Sequence, residues 1–370
     1  MPLYHSTASI LGFLPALETG STFALGRKFS TKTFWQEVRE SEATVIQYVG
    51  ETCRYLLSVP PQFGPSGENL DKENKVRMAF GNGLRPEVWN KFKERFGIDT
   101  IAEFYSATEA AGMGLNYSRN HFSKGAIGRN GTLLRLVFGP PAIVELDLET
   151  STPVRDARGF CRKMPHGKPG ELLFTLDAND IEKKFQGYLN NAKANDSKVI
   201  KNVFKKGDAY FRTGDMVRYN PDGLLYFVDR IGDTYRWKSE NVSTNEVAEC
   251  ISAHPSVQEV NVYGVELPHH DGRAGCAALV LTEEPSLQVL SSLAECARKG
   301  LPRFAVPLFL RVTKSIEATG TNKQQKHVLR SQGVDPAKAG DDQLFWLKDG
   351  TYVRFGEKDW RELQGGRVKL

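Results

Sequence analysis
The stretch 76–105, VRMAFGNGLRPEVWNKFKERFGIDTIAEFY, constrains the fold more than any other part of the chain. The apolar run over 76–80 predicts a strand, GNG a glycine turn, and Pro86 the first residue of a helix that Gly97 closes. IDTIAEFY then predicts a second strand that runs into a loop. Strand, turn, helix, strand is the pattern of a crossover unit, which lays its two strands side by side and parallel. An α/β fold with a mostly parallel sheet follows. Upstream, a helical pattern after Phe34 gives way to the strand-like TVIQYV at 44–49 and then to a helix-like ETCRYLLSV. Residues 60–74 read as a polar loop bearing proline and glycine.

At 370 residues, two domains of unequal size are expected. Residues 143–230 are richer in strand patterns, with NPDG at 220–223 a turn between MVRY and LLYFVD. After Gly232 the texture changes. STNEVAECISAHPSV is a helix capped by Ser243 or Thr244, and SLQVLSSLAECARKG is a second helix. VQEVNVYGVEL, AGCAALVLT and VPLFLRVT are strands, so a compact α+β unit is expected there. The boundary is placed within 230–233, dividing 1–230 from 231–370. No internal repeat or low-complexity tract is present.

Composition narrows the function classes. The formal net charge of +5 comes without a run of Lys or Arg, which argues against a nucleic-acid surface and suits a multiply anionic small ligand. Five cysteines (Cys53, Cys161, Cys250, Cys276, Cys296) are scattered, with no CxxC and no His partner at metal spacing. Packed free thiols in a reduced, intracellular protein are expected. No span reaches the roughly 20 apolar residues of a membrane helix. The best, ASILGFLPAL at 8–17, is short and carries Pro15; it is read as a buried helix, with contact to a membrane as the alternative. No secretory leader is expected before it. The last three residues, Val368, Lys369 and Leu370, have the basic-then-leucine form of a peroxisomal address, with valine in place of the usual small residue.

Five motifs bear on chemistry, and each has a plainer alternative. TGD at 213–215 puts the Asp215 carboxylate on a turn, where it can accept two hydrogen bonds from a vicinal diol such as a ribose while Gly214 lets the ligand approach. The alternative is an aspartate that simply opens a turn. YSATEAAG at 105–112 lies beyond the carboxyl end of a strand, where α/β sheets bind ligands. There Thr108 can hold a phosphate oxygen and Glu109 a Mg²⁺ ion, or the pair can open a helix. GNGLRP at 81–86 lets backbone approach a flat base and leaves Arg85 free to contact anions, or is a bare strand–helix turn. PHHDGRAG at 268–275 offers His269, His270 and Asp271 as metal ligands, but adjacent side chains in an extended loop point apart, and a solvated turn is the reading adopted. ATGTNKQQK at 318–326 delivers Lys323 and Lys326, which can neutralise charge on a reacting carboxylate or phosphate, or is a surface loop.

In order and spacing, PLYHS, GNGLRP, EFYSATEA, GDAYFRTGD, LLYFVDRIGDTYRWKSENVSTNEV and GRAGCAALV together resemble the acyl-adenylate-forming ligases. More narrowly they look like the fatty acid transport protein/very-long-chain acyl-CoA synthetase family, for which YFVDRIGDTYRWKSENVST is specific. The tail LFWLKDG and the final Lys-Leu look like its fungal branch, and the resemblance runs from Pro2 to Leu370. It implies the C-terminal part of the ligase's large, AMP-binding domain over 1–230, with mixed and parallel sheets and helices, and a small α+β lid domain over 231–370.

The resemblance also implies ATP, Mg²⁺ and CoA as cofactor and co-substrates, a fatty acid as the acid activated, and no nucleic-acid partner. The acid attacks the α-phosphorus of ATP to give an acyl-adenylate, and the CoA thiol then displaces AMP. By resemblance Asp215 holds the ribose hydroxyls with support from Arg230, and Tyr226 and Phe227 lie beneath the nucleotide. Gly81, Asn82, Gly83 and Tyr105 flank the adenine, Thr108 and Glu109 handle phosphate and Mg²⁺, and His5 lines the acyl side. Lys323 stabilises the adenylation transition state, with Lys326 the second candidate. Gly232 is the hinge whose rotation carries Trp237, Lys238 and Ser239 toward the CoA channel.

Members of the family carry a Ser/Thr/Gly-rich phosphate loop upstream of PLYHS, and no stretch here replaces it. The chain is therefore expected to be the C-terminal part of a longer ligase or a degenerate relative that binds nucleotide poorly as it stands. The implied function is a long- or very-long-chain fatty acyl-CoA synthetase coupled to uptake. The alternatives are a non-catalytic fatty-acid transport or binding relative and an acyl-CoA ligase of a fungal secondary-metabolite pathway. The peroxisome is the expected location, ahead of endoplasmic reticulum, lipid droplet or plasma membrane. Peripheral membrane association, oligomeric state and acyl chain length stay open.

Overall fold
The computed structural model describes residues 2–107, 109, 112–147, 150–238, 240–317, 325–368 and 370. These fall into two compact units, one running to Phe227 and the other starting at Val228.

The first unit opens its sheet with β1 (Val45–Val49), β2 (Met78–Asn82) and β3 (Thr100–Tyr105), all parallel, and closes it with β4 (Gly114–Ser118), antiparallel to β3. Three helices accompany it: α1 (Phe34–Glu40), then α2 (Gly50–Ser58) and α3 (Pro86–Phe96) as the two crossovers. On α3 the residues Val88, Trp89, Phe92 and Phe96 recur at helical spacing and are buried, with the Phe96 ring stacked 4.3 Å from Trp35 of α1. Burying large side chains of this kind stabilises by roughly 1.5–3 kcal/mol each, which is what holds the crossover to the sheet. Pro86 opens α3 and Gly97 closes it in the left-handed conformation, with φ +68°.

Two expectations need correction here. β2 starts at Met78 and runs through Asn82, later than the 76–80 read from the sequence, so Gly81 and Asn82 belong to the strand and not to the turn. The parallel ladder continues through Tyr48 opposite Gly81 and Val49 opposite Asn82. A Cβ at Gly81 would sit 2.2 Å from the Tyr48 carbonyl oxygen, so close backbone approach is what requires glycine there. Nor is 8–17 a buried helix. It is assembled from Ser6–Ala8, a π-helical Ser9–Phe13 and Leu14–Glu18, and Ile10, Leu14 and Leu17 are exposed. Only Thr7 and Ala8 are buried, with the Thr7 carbonyl accepting from the Gln47 side chain at 2.7 Å. The wider π turn then rotates the following apolar residues off that face.

The unit's second sheet holds β5 (Gly128–Arg129), β6 (Ala142–Val144), β7 (Pro169–Leu176), β8 (Val199–Lys201), β9 (Ala209–Tyr219) and β10 (Leu224–Arg230). The order is β5-β10-β9-β7-β6, with β8 also paired to β9. A helix α4 (Thr132–Phe138) lies between β5 and β6, and α5 (Ala192–Lys198) leads into β8. The NPDG turn joins β9 to β10, with Gly223 N–H donating to the Asn220 carbonyl at 3.1 Å and Leu224 N–H to its side chain at 2.8 Å. Opposite β7, the register of β9 slips between Arg212 and Met216. That slip contains the TGD motif.

The second unit carries a hairpin, β11 (Tyr235–Trp237) and β12 (Glu240–Val242), then α6 (Thr244–Ser252). Its sheet runs in order β13 (Val257–Glu266), β14 (Arg273–Leu281), β15 (Phe309–Val312), β16 (Gln343–Lys348) and β17 (Thr351–Arg354). Helices α7 (Leu287–Gly300), α8 (His327–Gln332) and α9 (Glu357–Gln364) complete it. Ser243 is the N-cap of α6, accepting from Glu246 N–H at 3.2 Å. β14 is buried from Ala274 to Val280, as a central strand should be. All five cysteines are free thiols. Among the described residues no helix is long and apolar enough to cross a membrane.

Candidate functional site
In the first unit the carboxyl ends of β2 and β3 and the slip in β9 present Gly81, Asn82, Gly83, Tyr105 and Asp215. Gly214 adopts φ +76°, a conformation costly for other residues, and so turns the chain back on itself within the strand. The bulge is held from below. Glu171 of β7 is fully buried and receives Arg212 through Nε at 3.0 Å and Nη2 at 2.7 Å, a two-pronged ion pair, and it accepts from Gly214 N–H at 3.3 Å. Thr213 donates to the Leu172 carbonyl at 2.7 Å, and its oxygen accepts from Asp215 N–H at 3.1 Å. Lys198, at the end of α5, reaches the carbonyls of Arg212 and Thr213 at 3.4 and 3.3 Å.

These supports leave the Asp215 carboxylate half-buried, and the hydroxyl of Tyr105, at the end of β3, donates to it at 2.5 Å. Two residues 110 positions apart in sequence are thus brought together. A carboxylate offers about four acceptor positions, and with an aromatic ring beside it the pair suits a ligand with adjacent hydroxyls and a flat ring. Tyr226 lies on β10, its ring beneath the Arg218 guanidinium at 5.4 Å, and burial raises its phenol pKa.

Gly81 and Asn82 end β2, and Gly83 turns toward Leu84. The turn is fastened by Glu103 of β3, whose carboxyl accepts from Leu84 N–H at 3.1 Å and from the Tyr48 hydroxyl. Burial pushes that carboxyl up to about 8, against the lowering effect of its hydrogen bonds to Tyr48, Leu84 and Gly83. Arg85 is not free to meet anions as expected: its guanidinium sits 3.3 Å from Glu51 of α2, which also pairs with Arg54 at 2.7 Å. An acid one helical turn from Arg54 and across from Arg85 captures both cations.

Glu109 accepts from the Tyr188 hydroxyl at 2.9 Å, and burial together with that bond pushes the Tyr188 phenol up to about 12. A tyrosine kept neutral in this way orients one carboxylate oxygen by donation. A single oriented carboxylate fits Mg²⁺, which is commonly bound by one or two carboxylates plus substrate phosphates. Among the described residues no group of three or more His, Cys, Asp or Glu is gathered for a metal. His5 caps the first helical turn, its Nδ1 accepting from Thr7 N–H at 3.2 Å.

In the second unit, Arg230 ends β10 and its N–H donates to the Asp229 carboxylate at 2.8 Å. Gly232 is exposed, and a Cβ built on it would meet nothing within 4 Å, so nothing in this conformation demands a glycine. Trp237 is buried in the core of this unit, 6.1 Å from the His270 ring, while Lys238 is exposed with φ +50° at the hairpin turn. His269 and His270 face different backbone carbonyls, those of Gln364 and Pro268, each at 2.8 Å. Lys326 is paired with Asp233 at 3.1 Å and donates to the Thr244 hydroxyl at 2.8 Å. Thr108, Ser239 and Lys323 lie outside the described residues.

Reading the sequence missed Glu103, Glu171, Lys198, Tyr188 and the Lys326–Asp233 pair. For the two buried glutamates a signal existed: each stands inside an otherwise apolar strand, IAEFY and PGELLFTL, where a charged residue survives only with partners. Lys198 and Tyr188 carry no such mark.

The AMP-binding enzyme family model matches residues 1–176, and the AMP-binding enzyme C-terminal domain model matches 246–323. The very long-chain fatty acid transport protein of Cochliobolus heterostrophus is 44% identical over 100% of this chain and 57% of its own length. Isopenicillin N epimerase component 1 of Hapsidospora chrysogena is 42% identical over 99% of this chain and 61% of its own. The chain therefore spans less than two thirds of the length of these curated relatives. Among solved structures, the O-succinylbenzoate coenzyme A synthetase of Bacillus subtilis in complex with ATP and magnesium ion superposes with TM-score 0.63 at 21% identity, over 90% of this chain and 60% of that one. That likeness establishes the fold.

Proposed function
The chain belongs to the AMP-binding enzyme family, and from that premise we propose that the protein is an ATP-dependent fatty acyl-CoA synthetase acting on long- or very-long-chain acids, with activation coupled to uptake. The observation that carries the reading is the Tyr105–Asp215 pair, an aromatic ring at the end of β3 whose hydroxyl donates to a carboxylate on the bulge of β9. In this reading Asp215 accepts from the ribose hydroxyls, and Gly81, Asn82, Gly83 and Tyr105 flank the base. Glu109, oriented by Tyr188, would hold Mg²⁺, whose chemistry is to neutralise phosphate charge. The acid's carboxylate attacks the α-phosphorus and pyrophosphate leaves; the CoA thiol then attacks the acyl carbon and AMP leaves. Positioning and charge neutralisation account for most of such a step, so the protein's contribution is geometric. Lys323 supplies positive charge in the first half-reaction, and rotation at Gly232 exchanges it for the Lys238 region in the second.

The test is acid-dependent ATP–pyrophosphate exchange and thioester formation by the full-length protein with a panel of fatty acids. Asp215→Ala and Lys323→Ala are each expected to lower kcat/KM for exchange by about 100-fold or more. Unchanged rates in both variants overturn the site assignment, and acyl binding without AMP release points instead to a non-catalytic transport or binding protein. The 42% identity to isopenicillin N epimerase component 1 supports a second reading, the same ligase chemistry on another acid in a secondary-metabolite pathway. Preference for a non-fatty carboxylic acid added to that panel decides for it.

A further inference from the structure
Two of the five thiols face each other inside the second unit. Cys250 stands on α6 and Cys296 on α7, and both are half-buried, whereas Cys53, Cys161 and Cys276 are buried. The Cys250 Sγ donates to the Cys296 carbonyl at 3.7 Å, and the Cys296 Sγ returns the contact to the Cys250 carbonyl at 3.7 Å. The two thiols are also within hydrogen-bonding reach of each other. Gly300, one turn beyond Cys296 on α7, leaves the space that the Cys250 thiol fills. A Cβ built on that glycine would come within 2.4 Å of the Cys250 sulfur.

An S–S bond is about 2 Å long, so two sulfurs already in reach of each other have a short way to close. A metal is not the partner the pair suits: among the described residues no group of three or more His, Cys, Asp or Glu is gathered for one. Burial, and after it the neighbouring Cys296, pushes the Cys250 thiol up to about 11. Cys250 is thus a poor first nucleophile, which leaves Cys296 to attack first and Cys250 to follow.

We propose that Cys250 and Cys296 form a thiol–disulfide site, oxidised by a hydroperoxide and reduced by a small thiol, whose closure staples α6 to α7. The Cys296 thiolate attacks one peroxide oxygen, the O–O bond breaks, and the sulfur becomes a sulfenic acid while the released hydroxide takes up a proton as water. The Cys250 sulfur then attacks the Cys296 sulfur and gives up its proton, and the displaced hydroxide leaves with that proton as a second water. The thiol pair loses two electrons and the peroxide gains them. Two molecules of a small thiol reverse the step and leave as their own disulfide. The site is independent of the ligase reading. It fastens the helix whose first turn Asp229 caps, and it joins residues 46 positions apart.

The test exposes the full-length protein, first reduced and desalted, to hydrogen peroxide. Peptide mass spectrometry is expected to show Cys250 joined to Cys296 with the loss of two hydrogens, and dithiothreitol to restore both thiols. Amide exchange over 244–252 and 287–300 is expected to slow about tenfold in the oxidised protein. Cys250→Ser and Cys296→Ser each remove the cross-link, and in Cys250→Ser a cyclic diketone captures the Cys296 sulfenic acid. Both thiols surviving the peroxide overturns the proposal, as does Cys296 carried to sulfinic acid without a cross-link. A bond from either cysteine to any other thiol overturns it too, and so does amide exchange that the cross-link leaves unchanged.

Discussion
Asp215 and Asp229 flank one hairpin turn in sequence and are treated in opposite ways. Asp215 is lifted on a bulge, half-buried, with a phenol donating to it. Asp229 is 3% exposed and accepts from Ser243, Thr244 and Asn245 at the start of α6. The second acid is consumed in tying the chain together, capping a helix whose first N–H groups have no partners of their own. The first sits on a bulge that Glu171, Thr213 and Lys198 support through its backbone. Residue type cannot tell the two acids apart; the element that carries each one can.

Glu103 sharpens the contrast most, because it is a third acid buried with neutral donors. Its folded pKa of about 8 lies above the ordinary 4.5, so its contribution to stability is complete below about pH 4.5 and is lost as pH rises through about 8. Wild-type protein should lose up to about 4 kcal/mol across that window relative to Glu103→Gln, measured by denaturant unfolding at several pH values. Asp229→Ala comes next, since it strands the donors of Ser243, Thr244 and Asn245. It is expected to destabilise the second unit by about 3 kcal/mol, whereas Asp215→Ala, which strands the Tyr105 hydroxyl, is expected to cost the first unit about 1 kcal/mol. Equal losses at the two positions would break the comparison. The smallest effect is that of Tyr105→Phe, which removes one neutral donor from Asp215. A rise of about three- to tenfold in the KM for ATP is expected, and a wild-type KM would show that the phenol is not what orients the acid.

What the sequence allowed to be read follows from range. Helix α3 was legible at both ends because Pro86 and Gly97 act within their own turns, and the β9–β10 hairpin because NPDG closes on itself. The pairing of Tyr105 with Asp215, and of Arg212 with Glu171 41 residues away, depends on which strands become neighbours, and no local pattern encodes that. β16 and β17 went unread because LFWLKDGTYVRF offers mixed aromatic and charged residues whose alternation shows only once β16 pairs with β15. The exposed 8–17 segment erred the other way: its apolar composition was plain, but the π turn that faces it outward was not.

The cap on α6 has a consequence for motion. Asp229 precedes Gly232 and its donors on Ser243 and Thr244 follow it, so twisting the backbone at the glycine drags the acid off the helix end it serves. In the proposed cycle, a turn at Gly232 would have to break these hydrogen bonds together, so the chain would pass between set positions, like a detent, and not through intermediate angles.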